Sequence, residues 1–272
     1  MGDHQSSLRW KEGRNAWVHP DQQTFEPRRY EVAPVAEVPA RAFVERHHYA
    51  ASFPSARLRF GLYQGSQLAG VAVLSVPMQA KVLTIPFPSL TPMWESLELG
   101  RFVLLDEVPA NGESWFLARC FELARKEGIR GVVSFSDPLP RTADDGDVVF
   151  RGHIGTIYQA SNAICAGRST RRTLTILPNG RVLSDRAAQK IRAGEQGHGG
   201  VERTLREFGA SPRRLSESAA DYLKRVLVEV GARKVSHPGN HRYLFVLGSA
   251  REKRAIEIGL PRGPYPKTLE AA

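Results

Sequence analysis

Between Leu97 and Phe135 an aliphatic run, a turn, an amphipathic run and a second aliphatic run follow one another, and this order restricts the fold more than anything else in the 272 residues. Leu97–Leu105 reads as a strand. Trp115, Phe116, Ala118, Cys120, Leu123 and Ala124 then recur at helical spacing from Gly112 to Glu127, and Gly128 closes the helix. Ile129–Phe135 is a second strand, long and apolar enough to be central. Strand, helix and strand at this spacing predict a right-handed crossover and parallel pairing.

The flanking segments extend that sheet. Leu58–Tyr63 and Leu68–Pro77 are separated by Gln-Gly-Ser-Gln and read as a hairpin, and Pro39–Tyr49 carries Phe43, Val44 and His47 at helix-like spacing. Ala80–Trp94 holds too many prolines for a long helix and is expected as a strand edge and loop. GTIYQASNAICAGRS reads as a short helix closed by Gly167, with Cys165 near its end. Thr173–Leu177 and Arg181–Ser184 flank Pro-Asn-Gly as a hairpin. Helices are expected around 185–195, 199–208 and 216–230, then a last strand, Tyr243–Gly248. Residues 1–30 read as a loose arm or an early edge element.

Charge is distributed unevenly. Residues 1–150 hold 16 Lys and Arg against 18 Asp and Glu, whereas 151–272 hold 22 against 10. Such a basic half suits an anionic partner, although solvated helix faces explain it equally well. Cys120 and Cys165 form no CxxC pair, which argues against a disulfide framework or a cysteine zinc site. No apolar run has the length of a secretory core or a membrane span, so a soluble, cytoplasmic protein with no membrane partner is expected.

The chemistry-bearing residues gather around the crossover. A helix opening at Asn111–Ser114 directly after a strand presents unpaired N–H groups and the positive end of its dipole, which suits a pyrophosphate; an ordinary capped helix start is the plainer reading. The second strand ends in Ser134-Phe135-Ser136-Asp137-Pro138, where a parallel strand terminates and a cleft usually opens. Asp137 is placed to orient or deprotonate an amine, or merely to cap a turn. Tyr158 offers a phenolic proton to a departing thiolate, or a core ring with a satisfied hydroxyl. In His47-His48-Tyr49 the adjacent histidines point apart, so the triplet offers one functional histidine at most and no chelating pair.

These residues resemble the phage Mom DNA-modification proteins of the GNAT acyltransferase superfamily. The resemblance spans roughly 46–184 and is carried, in order, by RHHY, LRFGLY, ELGRF, VPANGES, VVSFSD and GTIYQAS. The later PNG hairpin and HRYLFVLG are similar too. It implies an α/β fold with a GNAT-like mixed, mostly antiparallel central sheet flanked by helices. It further implies acetyl-CoA or a related coenzyme A thioester as donor, and a methylcarbamoyl (carbamoylmethyl) or related group added to the exocyclic amine of adenine, protecting phage DNA from restriction. By resemblance His48, Tyr49, Arg101, Ser114, Asp137 and Tyr158 are the catalytic candidates, and Leu105, Asn111, Gly112, Glu113 and Ser114 the cofactor candidates. Two departures stand out: PANGES lacks the Q/RxxGxG/A signature of ordinary GNAT enzymes, and the acidic insert TADDGDVVFRGH precedes GTIY.

A base within duplex DNA must be flipped out while phosphate contacts hold the helix. Arg168, Arg171, Arg172, Lys190, Arg192, Arg242 and Tyr243 are the expected nucleic-acid contacts. Because a plain acyl transfer gives an amide rather than an alkyl linkage, iron is left open as a further cofactor, and the metal is otherwise unassigned. The expected division is an arm (1–30), a catalytic core (31–184) and a basic helical extension (185–272), with homodimerisation open and, for a phage-encoded chain, the host cytoplasm as location. The rival readings are a GNAT-type N-acyltransferase acting on a small amine, a protein or tRNA, and a catalytically inactive DNA-binding protein.

Overall fold

In a computed structural model the described residues are 7–11, 14–18, 24–50 and 52–269. They fall into two compact units, each assembled from separate stretches of chain. The first comprises 1–136, 155–167 and 241–265; the second, 137–154, 168–240 and 266–272.

The first unit is built on a seven-stranded sheet in the order β10-β14-β7-β6-β5-β4-β3. Its strands are β3 (Glu31–Pro34), β4 (Ala56–Gln64), β5 (Gln67–Ser75), β6 (Ser96–Leu104), β7 (Gly131–Ser136), β10 (Ile164–Arg168) and β14 (His241–Val246). β3, β4, β5 and β6 pair antiparallel in sequence, as do β7 and β14. β6 and β7 run parallel, joined by helix α3 (Gly112–Lys126) as the crossover requires. This is the mixed, mostly antiparallel central sheet flanked by helices that the sequence led one to expect. Phe116, Leu117, Cys120 and Ala124 of α3 are buried together with Leu97 and Leu99 of β6. Helix α1 (Glu37–His47) sets Ala40, Phe43 and Val44 against Val71 and Val73 of β5, and so covers a second face.

Several expectations change. Ala80–Trp94 contains a helical turn, α2 (Lys81–Thr84), because its proline-free residues bury Leu83 before Pro86 ends the turn. The helix of GTIYQAS, α4 (Thr156–Ala160), stops well before Gly167: Asn162 turns the chain at φ 57°, and Gly167 and Cys165 lie in β10. The last strand is second from one edge of the main sheet, between β10 and β7. In the expected loose arm, β1 (Ser7–Lys11) and β2 (Arg14–Val18) pair as an antiparallel hairpin.

In the second unit, β11 (Arg172–Ile176) pairs with β12 (Val182–Leu183) across Pro-Asn-Gly and with β13 (Arg233–His237), while β8 (Arg141–Thr142) pairs with β9 (Val148–Phe150). Helices α5 (Asp185–Ala193), α6 (His198–Glu207) and α7 (Ala219–Glu229) bury Ile191, Leu205, Leu223 and Val226 in a core of their own. The short α8 (Ala250–Ala255) belongs to the first unit. No helix among the described residues is long and apolar enough to cross a membrane.

Candidate active site

β6 and β7 pair only from Ser96↔Gly131 to Leu99↔Ser134. Beyond that point β6 continues against β5, with Arg101 opposite Val73, while Ser136 of β7 lies opposite His241 of β14. A gap therefore opens between two strands that began as neighbours. A β-bulge at Gly100 marks the place, since Leu74 pairs with Leu99 and Val73 with Arg101. A Cβ on Gly100 would lie 2.3 Å from Ser75 Oγ, which explains the glycine of ELGRF.

On the α1 side of the gap stand Glu98 and Arg101, opposite Ser75 and Val73. Burial pushes the Glu98 carboxyl above its ordinary value, and Arg101 only partly offsets this. Arg101 donates from Nε to Ser52 O at 2.9 Å, from Nη2 to Ser52 Oγ at 2.8 Å and from Nη1 to Gly100 O at 2.6 Å. It thus fastens the turn after α1 to the bulge. Burial lowers the Arg101 pKa, while Tyr49 and Glu98 act to raise it.

On the α3 side lie Ser134, Ser136, Tyr158 and Tyr243. Ser134 Oγ and Ser136 Oγ are buried, Ser134 acting on the Tyr158 hydroxyl and Ser136 on that of Tyr243. Burial raises the Tyr158 pKa; Ser134 opposes the shift and the charge of Glu98 adds to it. The phenol is thus protonated at neutral pH and within electrostatic reach of Glu98. Gly155 lets α4 close on this cluster: at φ 72° it starts the helix, and a Cβ there would lie 2.7 Å from the Tyr243 ring and 2.9 Å from that of Tyr158.

At the start of α3, Asn111 adopts φ 72° and neither it nor Ser114 supplies the expected side-chain cap. Ser114 Oγ instead donates to Asn111 O at 3.1 Å, and Gly112 N–H donates to Pro109 O at 3.0 Å. A Cβ on Gly112 would lie 2.5 Å from Val108 Cγ1, so the turn is tightly packed and its first-turn N–H groups meet no side-chain cap. Leu105 is half-buried against the α1-side cluster, and Glu113 places a carboxylate in the first turn. His48 follows α1, accepts at Nδ1 from Ala50 N–H (3.1 Å) and stacks on Tyr49, ring centroids 4.3 Å apart.

Asp137 is a different kind of carboxylate. It lies in the second unit, where Oδ2 accepts from Arg141 Nη1 at 2.6 Å and Oδ1 from Leu139 N–H at 3.0 Å and His237 Nε2 at 2.9 Å. His237 Nδ1 accepts from Gly239 N–H, so the imidazole proton sits on Nε2, toward Asp137. Burial alone would raise the Asp137 pKa, but His237, Arg141 and the Leu139 N–H hold it well below the ordinary range. An anion so firmly stabilised is a poor proton acceptor, and its three bonds tie Asp137 to Arg141, Leu139 and His237.

The expected nucleic-acid residues divide. Arg168, Arg171, Arg172 and Arg192 are exposed and Lys190 is half-buried, all in the second unit. Arg242 is half-buried in β14, donating to Ala166 O at 3.4 Å. Tyr243 is corrected outright: it is fully buried, its hydroxyl accepts from Gln159 Nε2 at 3.3 Å and its pKa is pushed up to about 12 by burial, so it offers no ring to a nucleic acid. Glu98 and His237 escaped sequence reading; a lone Glu bracketed by Leu97 and Leu99 in a buried strand was the available signal for the first. Among the described residues no group of three or more His, Cys, Asp or Glu side chains is placed to hold a metal ion, and nothing in the donor set supports iron.

Solved structures similar to the chain include acetyltransferases. A GNAT family acetyltransferase from Elizabethkingia anophelis with acetyl-CoA bound is 8% identical, with 80% of this chain and 99% of that one covered and a TM-score of 0.35. The ribosomal-protein-S18-alanine N-acetyltransferase from Escherichia coli is 13% identical, covering 56% of this chain and 88% of that one, also at 0.35. Likenesses this distant carry no argument about the site. No curated protein matches the chain significantly. The model of the Mom protein family, by contrast, matches residues 29–267, from before β3 to the end of the core, and the chain belongs to that family.

Proposed function

We propose that this Mom-family transferase moves an acyl group from a coenzyme A thioester to the exocyclic amine of adenine in double-stranded DNA, giving the amide, the acyl-derived alternative to a methylcarbamoyl (carbamoylmethyl) product. The observation that carries the chemistry is the pair of proton carriers at the strand gap: a carboxyl raised by burial, Glu98, and a protonated phenol, Tyr158. For an acyl transfer, Glu98 takes the amine proton as the C–N bond forms. Tyr158 gives its proton to the departing sulfur as the C–S bond breaks. The buried Ser134 and Ser136 hydroxyls, beside the Tyr158 and Tyr243 phenols, would turn to a developing oxyanion.

The thioester donor supplies an activated carbonyl when bound. The Asn111–Ser114 turn would hold its pyrophosphate on first-turn N–H groups, with Leu105 beside the strand end. Arg101 fixes the turn carrying His48 and Tyr49 against the gap. The adenine amine, conjugated to its ring, is a weak nucleophile, so positioning supplies much of the rate. Family membership and the basic second unit support DNA as acceptor.

The test is thiol release from acetyl-CoA by purified protein, with an adenine-containing duplex or with small amines. Release that requires the duplex and falls roughly 100-fold in Tyr158→Phe is expected. Equal release with a small amine and no DNA would replace this reading with a general N-acyltransferase.

A further inference from the structure

The strongest positive charge of the chain lies in residues 168–240, with 15 Lys and Arg against 7 Asp and Glu. Within this stretch α5 ends at Ala193 and α6 begins at His198, joined by a turn whose Gly194 and Gly197 take φ 63° and 87°. Two helices joined by so short a glycine turn make a compact helix–turn–helix unit, packed here on α7.

α6 has two unlike sides. Leu205 is buried and Val201 and Phe208 half-buried, all in the helical core. Opposite them Gly199, Arg203 and Arg206 recur at i, i+4 and i+7, all exposed. Arg206 leans on Glu202 at 3.4 Å, whereas among the described residues no carboxylate pairs with Arg203. Lys190 reaches over the turn, its Nζ 3.5 Å from where a Gly197 Cβ would stand. Glu195, the acid nearest the turn in sequence, is engaged by Arg186.

Gly199 and Gly200 have open space around them, so packing does not require glycine at either position. Glycine is the poorest helix former after proline, yet two stand in one turn of an exposed helix. Their effect is to leave the backbone bare on the side where Arg203 projects.

We propose that α6 is a groove-reading helix that lies in the major groove of B-form DNA, Arg203 and Arg206 facing bases or phosphates and Lys190 the adjoining backbone. This deepens the reading of the protein as a DNA-modifying transferase and rests on it. The occupant follows from charge and dimension. The face is cationic, bare and helical, and the B-DNA major groove, about 12 Å wide, admits a helix. The narrow major groove of double-stranded RNA does not.

The experiment measures binding of the full-length chain to a fluorescent duplex by anisotropy across a salt series, alongside nucleoside analysis of the recovered DNA. Arg203→Ala is expected to weaken binding roughly tenfold. The pair Gly199→Ala and Gly200→Ala is expected to weaken it while leaving the thermal midpoint unchanged or higher, since alanine favours the helix; this separates a lost docking face from a lost fold. Arg119→Ala, which removes an exposed charge from α3, binds as the wild type. A wild type that modifies DNA while both α6 variants bind as tightly as it does overturns the assignment of α6 alone. Equal affinity for double-stranded RNA overturns it too. A wild type that neither binds nor modifies duplex DNA overturns the underlying reading as well.

Discussion

Glu98 and Asp137 show how two carboxylates of one chain are set to opposite tasks by their surroundings. Glu98 is raised because burial is only partly offset by Arg101. Its folded pKa exceeds the unfolded value, so its contribution to stability is complete at acid pH and is lost as pH rises through the folded pKa. Glu98→Gln should therefore melt with the wild type in acid and above it at neutral pH, by calorimetry, while losing roughly 100-fold or more in turnover together with the acid limb of the pH–rate profile. Asp137 is depressed by His237, Arg141 and the Leu139 N–H against the effect of burial. It stabilises the fold above the ordinary carboxylate range and ceases to do so as pH falls. Asp137→Ala, which strands a buried Arg141, should cost about 3–5 kcal/mol at neutral pH, and the gap to the wild type should narrow below about pH 4. Asp137 was legible in the sequence as a polar residue ending a strand; its role was not, because His237 lies 100 residues further along. Glu98 was visible only as a lone charge between Leu97 and Leu99, a pattern that ordinary strand alternation explains equally well.

At the scale of elements, the site depends on a strand that changes partners. The crossover from β6 through α3 to β7 was readable from periodicity alone, as were both hairpins, because local patterns of two and three to four residues determine them. The bulge at Gly100 was not, since it is Ser75 on β5, with Pro54 beyond it, that would have to give way to a side chain there. Gly100→Ala should lower stability by about 1–3 kcal/mol in denaturant melts and lower turnover as the gap shifts. The α4 boundary was misread for a related reason: Ile164, Cys165 and Ala166 have no helical signature of their own and become strand by joining β14 in the sheet. At α3, Ser114 bonds only its own turn. Ser114→Ala should change stability by less than about 1 kcal/mol and act chiefly on KM for the thioester, a split that steady-state kinetics can read.

Over the whole molecule, the chain leaves the first unit after Ser136, rejoins it over 155–167 to add β10 to the sheet, leaves again to complete a second core, and returns at His241 to place β14 between β10 and β7. Composition showed where the basic charge lies but not this return, because antiparallel pairing across more than a hundred residues leaves no local pattern. Membership of the Mom family makes the chain a transferase, and the proposed base and acid, Glu98 and Tyr158, flank the strand gap from its two sides within electrostatic reach of one another. The most direct measurement is mass spectrometry of nucleosides from the DNA of cells expressing the wild type or Glu98→Gln. A heavier adenine nucleoside in the wild type, absent from the variant, is the predicted result; unmodified adenine in cells containing abundant, folded wild-type protein would contradict the account.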